Sequence, residues 1–194
     1  SPIDAFSLSV IPNRSTKAEP KCYDLISVLR NKMESLEIPL KTVVDIARMR
    51  RASRIVETIF SKLKNIIIPG KTTIDIEKFC DELMQKSGVQ SGLIGFKNYP
   101  HTICTSINNV AAHGLPGDHA LQNGDIISID IVVNADGWFG DGAWTYVVGK
   151  PNRDLVRLVK ATWQAVVKGI MYARPGNRLG DIGEIIQETS SRYG

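Results

Sequence analysis

Hydrophobic residues recur at helical spacing from Thr42 to Lys64, through Val43, Val44, Ile46, Ala47, Ile55, Ile59 and Leu63. The same recurrence returns from Leu155 to Tyr172, through Leu158, Val159, Ala165, Val166 and Ile170, so two long helices are predicted. Between them the period changes. Ile126 to Val133 is apolar and β-branched except at Ser128 and Asp130, and Trp138 to Val148 is also strand-like. Asn134-Ala-Asp-Gly137 supplies turn chemistry between the two runs, and a β-hairpin is expected.

The two helical stretches belong to an internal repeat. Pro69-Gly70-x4-Asp75-Ile76 recurs as Pro175-Gly176-x4-Asp181-Ile182 at an offset of 106 residues, with a long helical pattern before each Pro-Gly and a shorter one after it. The expected architecture is α+β, in two pseudo-symmetric halves, with each helix pair covering one half of a sheet. In the first copy, strands follow the short helix that ends at Gly88; the second copy reaches the equivalent point at Gly194. The expectation is therefore a chain holding the first half and the helices of the second. About 60 to 100 further residues would complete the repeat at ordinary domain size. Residues 1–40 read as an N-terminal extension rich in proline around one helix-like run, Tyr23 to Leu36, and residues 41–194 as the main domain.

Composition narrows the setting. A chain of 194 residues with 43% hydrophobic residues can bury a substantial core. The apolar stretch Phe6 to Ile11 is too brief for a signal core, no run reaches membrane-spanning length, and three cysteines without Cys-x-x-Cys spacing suit a reducing compartment. A cytoplasmic location follows as the expectation. The net charge is +4, and Arg48-Met-Arg-Arg51 with Arg54 makes a basic patch on the first long helix. Such a patch suits RNA phosphates, with a solvated helix face as the ordinary alternative.

The chemistry centres on the hairpin. If Ala135-Asp136 is the loop, Asp130 and Asp141 lie directly opposite, roughly 5 Å apart; if Asp136-Gly137 is the loop, they are diagonal neighbours on the same face at about 7 Å. Two such carboxylates in an apolar setting repel unless a cation or a proton neutralises them. Three readings stand: chelation of one or two hard divalent ions, a dyad sharing a proton, or a solvated Asp141 beside a buried Asp130. His113, immediately before a Gly-x-Pro turn leading toward the hairpin, could donate to a substrate amide or ligate a metal, or simply be solvated.

Taken together, Tyr99-Pro-x3-Cys104-x-Ser106-x-Asn108, His113-Gly-Leu-Pro116, Gly124-Asp125-Ile-Ile-x-Ile-Asp130 and Gly137-Trp-Phe-Gly140-Asp141 resemble type I methionine aminopeptidases, from about Ile38 to Gly194. The resemblance implies the pita-bread (creatinase-like) fold and removal of N-terminal methionine from nascent proteins by two divalent ions, Mn, Fe or Co. It implies that Asp130 grips one metal, that Asp141 bridges two and that His113 contacts the scissile amide. It places Tyr99, Phe96 and Cys104 in the pocket for the methionine side chain, where apolar and sulfur-bearing walls suit a thioether. Core packing is the ordinary role for those three.

The chain also departs from the family pattern. Val132 and Gly142 stand where hydroxyl-bearing or small polar residues are usual beside the aspartates. A later histidine and two later glutamates that complete the family's metal site, and a second histidine at the carbonyl, have no match; the histidines are His101, His113 and His119. An incomplete metal site is therefore expected. Alternatives are a non-catalytic binding module of the same fold, and a proline-directed peptidase of the same fold, against which His113-Gly-Leu-Pro116 argues. The implied partners are a peptide with N-terminal methionine, the ribosome, and a second copy or complementing chain; no membrane is implied.

Overall fold

The first helix begins where the sequence provides a reciprocal cap. The Thr42 hydroxyl accepts from the Asp45 N–H at 3.2 Å while the Asp45 carboxylate accepts from the Thr42 N–H at 2.9 Å, satisfying two of the helix's free donors. In the computed structural model, which describes residues 39–193, this helix, α1, spans Val43–Leu63. The extension read over residues 1–40, with its helix-like run, lies almost wholly outside the described residues. Helix α2 (Thr73–Lys86) is capped in the same way by Thr72 and Asp75.

Four strands follow: β1 (Gln90–Ser91), β2 (Cys104–Ile107), β3 (Ile126–Ala135) and β4 (Trp138–Val147). All pairings are antiparallel. β3 is central, with β4 along one edge and both β2 and β1 along the other. A 3-10 turn, Phe96–Asn98, lies between β1 and β2. Strict alternation sorts β3 into two faces: Ile127, Ile129, Ile131, Val133 and Ala135 are buried, while Ser128, Asp130, Val132 and Asn134 are only half-buried.

Helix α1 covers the apolar face. Its buried stripe is Ala52, Val56, Ile59 and Leu63, so the apolar residues of its first turn, Val43, Val44 and Ile46, stand exposed instead of joining the core. The crossing is close because Gly140 on β4 has no side chain: a Cβ there would come within 2.6 Å of the Ala52 carbonyl oxygen. Helix α2 adds Ile76, Cys80, Leu83 and Met84 to the same core. Burying each of the large aliphatics contributes about 1.5–3 kcal/mol, and that concentration of burial beneath the hairpin holds the opposite face in place.

The helical repeat is present in three dimensions. Helices α3 (Arg153–Tyr172) and α4 (Leu179–Ser191) repeat the long-short pairing, with Gly70 and Gly176 both at positive φ and Asp181 accepting from the Arg178 N–H at 2.8 Å, as Asp75 does from Thr72. The second pair does not cover a sheet as the first does. Helix α3 packs chiefly on α4 through Ala161, Ala165 and Gly169, leaving Leu158, Val166 and Ile170 exposed. The expected core stripe of α3 is thus corrected toward its small residues: a Cβ on Gly169 would sit 2.8 Å from Ile186, so close helix contact selects glycine and alanine. No described helix is long and apolar enough to cross a membrane.

Candidate metal centre

The hairpin turns at Asp136-Gly137, with φ of 55° and 83°. Positive φ at both central residues is the turn whose twist matches paired strands, and it selects the second of the two registers. Asp141 faces Val132, and Asp130 faces Ala143. The aspartates are therefore diagonal neighbours on the half-open face, on the opposite side of the sheet from α1. Asp141 is exposed and Asp130 half-buried. Burial, and then the charge of Asp141, hold the Asp130 carboxyl above its ordinary range, with His113 opposing.

His113 reaches this face from a loop fixed at several points. The Thr105 N–H donates to the Gly114 carbonyl at 2.8 Å, the Gly114 N–H donates to the Ser106 hydroxyl at 3.2 Å, and the Tyr99 hydroxyl is shared between the carbonyls of Ile103 and Gly114 at 3.0 and 3.1 Å. A Cβ on Gly114 would lie 2.2 Å from the Thr105 carbonyl oxygen, so only glycine seats the loop this closely on β2. Farther along, the Gly117 N–H donates to the Thr73 hydroxyl at 2.8 Å and ties the loop to the start of α2. His113 itself is held at φ 57°, the left-handed region a side chain seldom adopts; such strain persists only where surrounding contacts impose it.

Asn108 completes the Ser-x-Asn element. Its side chain donates to Asp125 at 2.9 Å and accepts from the Ile126 N–H at 3.1 Å, joining the end of β2 to the start of β3.

Cys104 pairs directly with Asp130 across β2 and β3. One donor atom each from Cys104, His113 and Asp130 lie within 4.8 Å of one another. The structure thus brings together His113, Asp130 and Cys104, with Asp141 diagonal to them on the sheet. Tyr99 is partly buried beside this group, and burial pushes its hydroxyl well above the usual phenol range. Phe96 is farther out, 61% exposed on the 3-10 turn that precedes Tyr99.

Two positions flagged in the sequence fall on opposite faces. Val132 faces Asp141 with a methyl where a hydroxyl would donate. Gly142 points the other way, and a Cβ there would meet Val56 and Phe60 of α1 at 3.3 and 3.2 Å, so its bareness serves helix packing and not the carboxylates. Sequence reading also missed Glu77. Its carboxylate accepts from the Thr102 N–H at 2.7 Å and pairs with His101 at 2.9 Å, anchoring the approach to β2 from within α2. A lone glutamate in an amphipathic helix gives no signal of that role.

The donor set fits divalent ions on one side. Burial and the charge of Asp141 disfavour the ionised form of Asp130, a cost that a bound cation removes, and carboxylate with imidazole suits Mn, Fe or Co as well as Zn. Among the described residues no further histidine or acidic side chain joins Cys104, His113 and Asp130 in a ligand-spaced group. Beside Asp130, a cleft of about 350 Å³ opens between Ser128, Ala143 and Thr145 on the sheet and Leu158, Thr162 and Trp163 on α3.

The chain is similar to known proteins in sequence and in fold. The methionine aminopeptidase of Rickettsia prowazekii is 35% identical over 158 residues, covering 81% of this chain and 61% of the relative. Methionine aminopeptidase 1 of Bacillus subtilis is 38% identical over 147 residues, covering 76% and 59%. The chain thus spans about three-fifths of the length of these relatives. The crystal structure of the Rickettsia prowazekii enzyme matches with a TM-score of 0.79 at 36% identity, over 81% of this chain and 63% of that one. A prolidase from Pyrococcus furiosus matches at 0.73 with 19% identity over 91% and 54%, a likeness of fold alone. The shared architecture is the pita-bread fold expected from the sequence. The model of the metallopeptidase family M24 matches residues 47–194, a span that holds the hairpin, the His113 loop and both helix pairs, and the chain belongs to that family.

Proposed function

We propose that the chain carries part of the active site of a metal-dependent aminopeptidase that removes N-terminal methionine. The observation that carries this reading is the convergence of Asp130, Asp141 and His113 on one half-open sheet face. The relatives named methionine aminopeptidase, 33–38% identical among those compared, support the same substrate.

Asp130 and Asp141 would hold two divalent ions, Mn, Fe or Co, which when bound supply Lewis-acid polarisation of the scissile carbonyl and activation of water at neutral pH. The protein's own task is placement. His113, projecting from its strained loop, donates a hydrogen bond to the scissile amide and orients it. Gly114, Ser106 and Tyr99 keep the imidazole in position, because an error of about 1 Å at such a group costs on the order of a hundredfold in rate. Cys104, the ring of Tyr99 and Phe96 make the apolar, sulfur-bearing wall against the methionine thioether. The cleft beside Ser128 and Ala143 is the path for the peptide beyond the first residue.

Residues 41–194 form the catalytic-domain portion and residues 1–40 an extension, in a cytoplasmic protein acting on nascent chains. The exposed arginines of α1 suit ribosomal RNA as a partner. The half-open sheet face suits a second copy or a complementing chain that adds metal ligands.

Release of free methionine from a Met-Ala-Ser peptide, with Mn or Co added, tests the proposal. Turnover by the chain, or by the chain with a supplied C-terminal segment, that disappears in Asp130→Ala and Asp141→Ala supports it. Turnover of X-Pro peptides instead would replace the substrate assignment, and no metal-dependent turnover of either would favour a binding module.

A further inference from the structure

Asp130 faces two kinds of neighbour. Across the hairpin it has the carboxylate of Asp141. Toward β2 it has a thiol and an imidazole, and the donor atoms of Cys104, His113 and Asp130 lie within 4.8 Å of one another. We propose that these three side chains form an alternative site for a single thiophilic cation such as Zn²⁺ or Cd²⁺, sharing Asp130 with the two-aspartate site and distinguished from it by a sulfur ligand.

The argument begins with placement. Cys104 and Asp130 are register partners on neighbouring strands, so their side chains leave the sheet on one face about 5 Å apart. His113 is brought to the same place by the Gly114 seat on Thr105 and by the Tyr99 hydroxyl. All three ligands are therefore fixed by backbone pairing or by a pinned loop. With zinc bonds of about 2.3 Å to sulfur and about 2.0–2.2 Å to nitrogen and oxygen, tetrahedral donors sit about 3.3–3.8 Å apart. Rotamer shifts of about 1 Å would close the group around an ion. Three protein ligands leave a fourth position open toward solvent on the exposed His113 side, the pattern of zinc sites that keep a water.

Donor type sets the selectivity. Thiolate favours soft or borderline ions, whereas carboxylates alone favour hard ones. Ligation exchanges the Cys104 S–H bond for a sulfur–metal bond and releases the proton to solvent, with no change of oxidation state. Because Asp130 belongs to both donor sets, filling this site withdraws it from Asp141 and holds the His113 ring on the ion. A thiophilic metal would then act as an inhibitor of whatever chemistry the two-aspartate site performs. The binding claim itself does not rest on peptidase activity.

Cd²⁺ titrated into the full chain, read by sulfur-to-cadmium charge-transfer absorption, tests it. The expected result is one saturating equivalent whose absorption is lost in Cys104→Ser and kept in Cys22→Ser and in Cys80→Ser, with affinity at least tenfold weaker in His113→Ala and in Asp130→Asn. His113 is exposed, so its replacement leaves the fold intact even where a serine at the buried position 104 does not. Absorption that survives Cys104→Ser, or affinity indifferent to both His113→Ala and Asp130→Asn, would mean capture by an isolated thiol and would overturn the site.

Discussion

Replacing Gly114 with alanine puts the seating of the His113 loop to a direct test. The added Cβ would stand 2.2 Å from the Thr105 carbonyl oxygen and 3.0 Å from its carbonyl carbon. Both are backbone atoms of β2, so no side-chain rotation relieves the clash. Restoring an ordinary contact requires the loop to lift by about 1 Å, the scale on which packed atoms lose their contact energy. That shift stretches three hydrogen bonds at once: Thr105 N–H to Gly114 at 2.8 Å, Gly114 N–H to Ser106 at 3.2 Å, and Tyr99 to Gly114 at 3.1 Å. At about 0.5–1.5 kcal/mol each, the loss is about 1.5–4.5 kcal/mol, concentrated in the loop and the edge of β2. Urea unfolding should show a lower midpoint. Amide exchange should show the Thr105 N–H losing protection by at least tenfold, since about 1.4 kcal/mol corresponds to one decade of opening. A variant with the wild-type midpoint and an equally protected Thr105 amide would show that the loop does not sit on β2 as described, and the placement of His113 would fall with it.

Other perturbations follow from the same contacts. Glu77→Ala removes the acceptor of the Thr102 N–H from a side chain only 12% exposed, and should cost about 1–3 kcal/mol in urea unfolding, with Glu77→Gln recovering part of it. Tyr99→Phe keeps the ring but frees the carbonyls of Ile103 and Gly114; a loss of about 0.5–1.5 kcal/mol is expected, whereas an unchanged midpoint would leave Tyr99 only a wall. Gly140→Ala forces α1 away from β4 at Ala52 and should destabilise by about 1–3 kcal/mol, read as a lower thermal midpoint. Without added metal, Asp130 binds its proton more tightly in the folded chain than unfolded, because burial and Asp141 both disfavour its charge. Its contribution therefore favours the fold below the ordinary carboxylate range, about 3.9, and is lost as pH rises through the raised folded value. Urea midpoints measured against pH in the presence of a chelator should fall across that window in the wild type, and the fall should be shallower in Asp130→Asn.

The alternation in Ile126 to Val133 and the turn chemistry of Asn134 to Gly137 determined that a hairpin exists and that Asp130 and Asp141 share a face, because a period of two leaves no other outcome in either register. The Pro-Gly-x4-Asp-Ile repeat likewise determined two helix pairs, since the aspartate caps the helix locally in both. The choice between registers was left to the turn itself, where Asp136 and Gly137 both take positive φ. Ile59, Leu63 and Ala165 of the predicted stripes are buried, but the full stripes waited on packing: Ala52 against Gly140 and Gly169 against Ile186 are close approaches between distant segments, and hydrophobic spacing gives little weight to residues that small. The faces of positions 132 and 142, the seat of Gly114 on Thr105 and the Glu77 anchor likewise join residues far apart in the chain. Local sequence carries the periodicity and capping that act over a few residues; the placing of Cys104, His113 and Asp130 around one point depends on strand pairing and loop closure, which only the assembled fold decides.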